Sequence, residues 1–262
     1  MMANTVSNIK EKNDEISFTI TDSNASIVNA IRRTILSDIP VLGFKTSPHE
    51  ENLCNISINT TRFNNEIIKQ RMSCIPVHIS DMDIPYGNME ISLNIKNNTA
   101  STLLVTTEDF KIKDTSNDSF VSSEEVKKIF PPNKITKDYI QIVRLRPKLS
   151  DNLKEEEIAL TAKLTPVTAG ENGSFNVVYV CAFNNVLDKT KIAEEWDLKS
   201  KELTKSGMSS ADIGLFKKNW ELLDAKRFYI ENAFNFNIKS IGIYKCTQLI
   251  KTACQILVKG FD

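Results

Sequence analysis

Two apolar helical segments lie near opposite ends of the chain, each beside an alternating stretch. Residues 16–20 alternate apolar and polar positions as a half-buried strand does, and residues 27–39 then show helical spacing that ends at Pro40. Residues 234–241 alternate in the same way and precede a second helical segment, residues 244–259. Both helical segments have wider apolar faces than the roughly 100° arc that packing on a single sheet requires.

The last segment is the more informative, because its apolar positions cover roughly 200° of an ideal helical wheel. So wide an arc predicts contacts on two sides, with the chain's own sheet and with a second surface. A helix enclosed within a larger monomer has the same pattern, so both explanations stay open. The candidate interface residues on the two helices are Ile27, Ile31, Ile35, Cys246, Leu249, Ile250, Ala253, Ile256 and Leu257.

The chain between these ends is predicted to be mostly β. A short helix is expected at 64–72, and helical spacing returns over 189–227 with a break at Ser206-Gly207. Residues 111–137 are polar, and we expect a surface excursion with one helical turn. The predicted strands are 41–44, 53–58, 89–95, 102–107, 139–145, 158–164 and 176–183.

These patterns predict an α+β fold in which both ends of the chain build one split domain. Its two helices, each paired with a strand, leave an apolar helical layer exposed. A partner subunit is the simplest cover for such a layer.

Composition narrows the classes of function. The chain has 262 residues with 33 Lys and Arg against 33 Asp and Glu, and this zero net charge argues against direct contact with nucleic acid. Its five scattered cysteines lack C-x-x-C spacing, which favours free buried thiols over a disulfide frame or a zinc site. Without a long apolar run or an apolar N-terminal core, we expect an intracellular protein.

No set of residues indicates catalysis, a metal or a cofactor. The two histidines, His49 and His78, are expected at the surface, and the eight glycines form no phosphate-binding loop. The run at 155–157 is expected to be a solvated turn, and Arg144 and Arg146 the surface of a strand. Arg32 and Arg33 are either solvated charges or interface arginines.

Three ordered motifs resemble the alpha-like subunits of DNA-dependent RNA polymerase. Residues 26–40 resemble the first-helix signature through Arg32, Arg33 and Pro40, and residues 64–77 resemble the following segment through Glu66, Arg71 and Pro76. Residues 234–241 and the terminal helix are similar to the returning strand and dimerisation helix of that family, and 164–167 add a weaker match. The nearest branch is the third-largest subunit of eukaryotic-type polymerases, including versions in large DNA viruses; the equivalent archaeal subunit and the bacterial alpha amino-terminal domain belong to the same family.

The resemblance implies a discontinuous dimerisation domain, an antiparallel sheet with two helices, formed by residues 1–45 and 228–262. Residues 46–227 would be an inserted mostly-β domain with a helical excursion at 189–227. The implied partners are a smaller alpha-like subunit in a heterodimer, the second-largest polymerase subunit and a small zinc-bearing subunit. The resemblance further implies that four residues stabilise the fold and contact the large subunit: Arg32, Arg33, Glu66 and Arg71.

The sequence thus predicts a non-catalytic assembly subunit of a multisubunit RNA polymerase, in the nucleus of a eukaryotic cell or in host cytoplasm or virion if viral. Two features depart from the family: the inserted region lacks the cysteine cluster that many members carry, and the 189–227 helical segment is larger than expected. The alternative is a stand-alone β-rich binding or structural protein that homodimerises through its terminal helices.

Overall fold

The computed structural model describes residues 5–148, 150 and 154–260. Within this part of the chain the strands are β1 (Thr5–Lys12), β2 (Glu15–Thr21), β3 (Val41–Gly43), β4 (Cys54–Asn59), β5 (Met89–Lys96), β6 (Leu103–Thr106), β7 (Lys111–Asp114), β8 (Ser119–Phe120), β9 (Gln141–Leu145), β10 (Glu157–Lys163), β11 (Thr165–Val167), β12 (Val178–Leu187) and β13 (Tyr229–Ser240). The α-helices are α1 (Ala25–Ser37), α2 (Asn65–Ser73), α3 (Ser123–Ile129), α4 (Lys189–Lys205), α5 (Ser210–Leu222) and α6 (Cys246–Lys259).

The chain forms two compact units, which are described separately. The first contains residues 5–33 and Tyr179–Lys239 of the described chain, and the second contains the described residues of Thr34–Val178 and Ser240–Gly260. The predicted division into 1–45 with 228–262 and 46–227 stays a prediction, because a grouping by internal contacts need not coincide with the segment that is inserted in the family.

The first unit is built on a sheet of strand order β1-β2-β13-β12. The alternating residues of β2 and β13 put their apolar side chains on a buried face, as the sequence pattern predicts. Phe18 and Phe236 are register partners whose rings stack at 5.4 Å, and Phe183 packs edge-on against Phe234 at 5.7 Å. These aromatic pairs fix the register of the central strands.

A helical hairpin, α4 and α5, completes the first unit. The two helices are joined through Gly207, whose positive φ of 80° suits glycine at the end of α4. Asp188 caps α4 by accepting the backbone N–H groups of residues 190 and 191, and Ser209 caps α5. Trp196 of α4 and Trp220 of α5 lie with ring centroids 5.4 Å apart, so aromatic contact holds the hairpin together.

The second unit encloses the largest apolar core. Its main sheet has the strand order β4-β10-β5-β7-β8, and its neighbouring strands run antiparallel. Two short antiparallel pairs, β3 with β11 and β6 with β9, flank the same core. Three of its rings form a cluster: Phe110 lies 5.0 Å from Phe130 and 6.2 Å from Phe44.

The predicted α+β class is confirmed, and so are the seven strands of the central region and the helices at both ends. Helix α1 begins two residues before the predicted start because Asn24 caps it, accepting the backbone N–H of Ser26 at 2.7 Å.

Within the described chain the structure corrects the interpretation of one segment, adds a strand that the patterns did not predict, and revises the expectation about the cysteines. Residues 111–137 are not a surface excursion: β7 pairs with β5, and Ile112, Val126 and Phe130 are buried in the core. The polar N-terminal stretch forms β1, which pairs with β2 although its apolar residues stay exposed. Its stability comes from the backbone ladder rather than from burial, so apolar periodicity did not reveal it.

The third correction concerns the thiols. Cys54, Cys181 and Cys246 are buried as expected, but Cys74 and Cys254 are exposed. Burial raises the pKa of the Cys54 thiol to about 11, so this group stays protonated at neutral pH. The exposed pair are therefore the accessible thiols among the cysteines of this chain.

Candidate functional site

The predicted interface face of α1 is only partly free. Ile35 is buried within the chain, together with Val28, and so forms part of the protein's own core. Ile31 is half-buried, while Ile27 keeps 49 % of its surface exposed. Ile27 and Ile31 are four residues apart and therefore share one side of the helix. This side is the part of α1 that remains accessible to another protein.

Helix α6 divides its apolar arc in the same way. Cys246, Leu249 and Ala253 are buried, so these three candidate residues anchor the helix to its own chain. Of the remaining candidates, Ile250, Ile256 and Leu257 are half-buried.

Beside the buried side of α6 lies an uncovered apolar strip. Ile250, Cys254 and Val258 recur every four residues, so they lie in a row along the helix. The exposure rises along that row from half-buried Ile250 to Val258, which is 63 % exposed. We call these three residues the α6 strip. The wide arc predicted from the sequence is thus a buried side and an accessible side of one helix.

The paired arginines of α1 have different surroundings. Arg32 is half-buried, and its Nε donates a hydrogen bond to Oδ1 of Asn29 at 3.1 Å. Its backbone carbonyl accepts a weak hydrogen bond from Sγ of Cys181 at 3.8 Å. Arg33 is exposed. Within the first unit, Arg32 therefore supports the local fold, while Arg33 presents its charge outward.

Pro40 is fixed by a residue that the sequence patterns did not single out. The hydroxyl of Tyr244 donates a hydrogen bond to the carbonyl of Pro40 at 2.8 Å. Tyr244 is buried, and burial raises the pKa of its phenol, so the hydroxyl keeps its proton at physiological pH. The contact joins the chain after α1 to the start of α6 within the second unit, and only tertiary structure could reveal it.

The second motif forms α2 and the turn after it. Asn64 caps the helix by accepting the backbone N–H of Ile67 at 3.0 Å, and Ile68 and Met72 are fully buried. Glu66 is exposed in the first turn, where a negative charge favours the helix dipole. Pro76 is half-buried beyond the helix end.

Arg71 links α2 to β9. Its Nη2 donates to the carbonyl oxygen of Gln141 at 2.6 Å, and its Cζ lies 5.7 Å from the centroid of the Phe63 ring. Its Nε is buried without a hydrogen-bond partner among the described residues. Arg71 therefore links two segments that are distant in sequence.

Arg71 also lines an open pocket of about 430 Å³, which we call the arginine pocket. Arg144, expected to be simple strand surface, is part of it, whereas Arg146 forms an ion pair with Glu156 instead. Residues 62–71 and 141–144 meet only in the folded chain, so sequence spacing gave no signal. The pocket is lined by Arg62, Phe63, Arg71, Gln141, Val143 and Arg144.

The acidic run at 155–157 is not a solvated turn. Glu156 is buried and accepts the backbone N–H of Arg146 at 2.6 Å in addition to the ion pair. Glu155 accepts a hydrogen bond from Nζ of Lys148 at 2.9 Å and pairs with Lys96 at 3.3 Å. The hydrogen bond from Lys148 is the largest cause that lowers the pKa of Glu155 to about 2. These carboxylates therefore link the residues directly before β10 to residues 96, 146 and 148.

The two histidines have different surroundings. His49 is exposed in a short 3-10 helix, and His78 is half-buried beside Gly242. Across residues 5–148, 150 and 154–260, no three or more His, Cys, Asp and Glu side chains come together as metal ligands would. In the same part of the chain, no helix has the length and apolar character needed to cross a bilayer.

Comparisons with known proteins agree with the motifs. Residues 17–261 match the family described as "RNA polymerase Rpb3/Rpb11 dimerisation domain". The chain is also similar to the Arabidopsis thaliana protein named DNA-directed RNA polymerases IV and V subunit 3B, with 23 % identity over an alignment 305 positions long, gaps included. The alignment covers 96 % of this chain and 87 % of that protein. These matches confirm the resemblance drawn from the motifs, and this chain belongs to the Rpb3/Rpb11 dimerisation-domain family of RNA polymerase subunits.

Proposed function

We propose that the chain is a non-catalytic assembly subunit of a multisubunit DNA-dependent RNA polymerase. It pairs with a smaller alpha-like subunit to form a heterodimer, which serves as a platform for the second-largest subunit and a small zinc-bearing subunit. The family match supports this role, since the matched family is described by its dimerisation. By this proposal the chain acts in transcription through protein contacts, without an active site of its own.

The α6 strip is the observation that carries the proposed pairing. Its three apolar residues lie in one row on a helix whose other apolar side is already buried in the chain. Covering such a row with a partner helix removes apolar surface from water. Each Å² of apolar surface that is buried in this way stabilises the complex by about 25 cal/mol. The accessible side of α1, with Ile27 and Ile31, supplies a further apolar contact.

Charge supports protein contacts over nucleic-acid contacts. The chain as a whole carries no net charge, whereas a domain that binds nucleic acid through its phosphates usually has an overall excess of Lys and Arg. A subunit that assembles the enzyme without touching DNA needs no such excess. We accordingly place its site of action with the polymerase, in the nucleus for a cellular enzyme or in host cytoplasm or virion for a viral one.

Co-expression tests the proposal. The chain is produced with and without the smaller alpha-like subunit from the same source, and the species are weighed by native mass spectrometry. We expect a one-to-one heterodimer together and self-association or poor solubility when the chain is expressed alone. A stable monomer that does not bind this subunit contradicts the proposal, and so does a homodimer that persists in its presence. The homodimer would favour the alternative, a stand-alone binding protein that pairs with itself.

A further inference from the structure

The arginine pocket concentrates positive charge in a chain that has none overall. Three of its six lining residues carry a guanidinium group and none carries a carboxylate. Among the described residues, no ion pair to Asp or Glu involves Arg62, Arg71 or Arg144. Arg146, two residues beyond Arg144, does have such a partner in Glu156. The charge in the pocket is therefore left for a ligand.

The innermost arginine is held in place before any ligand arrives. The hydrogen bond to the Gln141 carbonyl and the Phe63 ring fix the guanidinium of Arg71, and its Nε has no acceptor in the described chain. Arg144 is also oriented, because one of its Nη atoms lies 3.5 Å from Oε1 of Gln141. A guanidinium that is already positioned loses less side-chain freedom when it binds a carboxylate.

Three exposed apolar residues neighbour the lining residues along the chain, across a strand pair or along α2. Leu104 is 51 % exposed and is the register partner of Arg144 across the β6–β9 pair, and exposed Ile140 directly precedes Gln141. Exposed Ile67 stands one helical turn before Arg71 on the same side of α2. Arginine surrounded by exposed apolar side chains is typical of protein–protein contacts, whereas a nucleic-acid site shows an extended basic stripe.

We propose that the arginine pocket binds an acidic peptide segment of a protein partner. Carboxylates of the segment meet the three guanidinium groups, and an apolar side chain of the segment packs against Phe63, which is 36 % exposed. Among the residues that line the pocket, the resemblance implied a docking role only for Arg71; the pocket adds Arg62 and Arg144 and sets the chemical class of the ligand. The inference rests on the proposed function only for the identity of the protein that carries the segment.

Binding to the full chain tests the proposal. The probes are a fluorescein-labelled peptide of alternating Glu and Leu, the same peptide with Gln for Glu, and a labelled single-stranded oligothymidine. Fluorescence anisotropy follows binding to the wild type, to the double variant Arg62→Gln/Arg144→Gln, and to Arg227→Gln as control. Arg62 and Arg144 are exposed, so their replacement leaves the core intact, and Arg227 is an exposed arginine of the first unit.

We expect the Glu peptide to bind the wild type and the control alike and the double variant about tenfold more weakly, since each partly exposed charge contact contributes up to about fivefold. Added salt weakens that binding, and the Gln peptide binds poorly. Equal binding of the Glu peptide to wild type and double variant, no binding of it at all, or a preference for oligothymidine overturns the proposal.

The same double variant separates this proposal from the heterodimer. Native mass spectrometry of the co-expressed pair should show an unchanged one-to-one complex, because the pocket residues are not on the α6 strip. If the heterodimer forms and the pocket fails to bind the Glu peptide, only the present inference falls. If the Glu peptide binds at the pocket but no heterodimer forms, only the proposed function falls.

Discussion

Replacing Val258 by Asp tests the α6 strip most directly. Full burial of a valine side chain contributes about 1.5–3 kcal/mol, and 63 % of this residue is still exposed in the chain. A partner that covers it therefore gains about 1–2 kcal/mol, which the substitution removes. An unpaired carboxylate placed in the interface adds a cost of a few kcal/mol. The sum of about 3 kcal/mol or more corresponds to roughly a hundredfold weaker heterodimer.

The assay is a titration of the labelled smaller subunit against the Val258→Asp chain, followed by anisotropy, with the thermal midpoint Tm of each variant measured alone. Gln255→Asp is the matched control, since it adds the same charge three residues away on the exposed polar side of α6. Both variants place a carboxylate near the helix C-terminus, so they share the unfavourable dipole effect of about 0.3–1 kcal/mol. Equal affinity of the two variants would refute the assignment of the strip.

Three other predictions concern the second unit. Leu249→Ala should lower the free energy of unfolding by about 2–5 kcal/mol in urea denaturation, because the fully buried side chain leaves a cavity. The pKa of Glu155 is lowered to about 2 from 4.5, so its contribution to stability is present above pH 4.5 and is lost as pH falls towards 2; Glu155→Gln should flatten the acid side of the Tm–pH curve. A maleimide should label Cys74 and Cys254 in the free chain, and the partner should protect Cys254 alone.

Each of these three predictions would be contradicted by a specific result. A loss below about 1 kcal/mol for Leu249→Ala would mean that α6 is not anchored through its buried side. An unchanged acid limb in Glu155→Gln would mean that its ion pairs with Lys148 and Lys96 do not form in solution. Continued labelling of Cys254 in the complex would place the partner elsewhere, and Cys74 serves there as the internal control.

The sequence predicted the elements well wherever local pattern and folded environment agree. The alternation of β2 and β13 and the helical spacing of α1 and α6 are local signals, and the structure follows them. The apolar pattern did not predict strand β1, because this strand is stabilised by main-chain pairing with β2. The patterns did not predict the structure of residues 111–137, because Ile112, Val126 and Phe130 are separated by polar residues and yet are buried in the core.

The sequence predicted that α6 has an apolar face wide enough for two contacts, but not which residues of that face are buried. A wheel places Leu249 and Val258 on the same wide arc, and only the packing of the chain distinguishes the buried residue from the exposed one. The arginine pocket required α2 and β9, about 70 residues apart in sequence, to come together through Arg71 and Gln141. Such long-range contacts leave no periodic trace in the chain.

The aromatic pair of the α4–α5 hairpin has a practical consequence for all of these measurements. The chain contains two tryptophans, and both lie in that hairpin, with Trp220 buried against Trp196 and Phe228. Intrinsic fluorescence excited in the tryptophan band therefore reports on one helical hairpin of the first unit and not on α6. A fluorescence melt and a circular-dichroism melt of the same sample thus follow different parts of the molecule. Where their midpoints separate, the hairpin unfolds as an independent step.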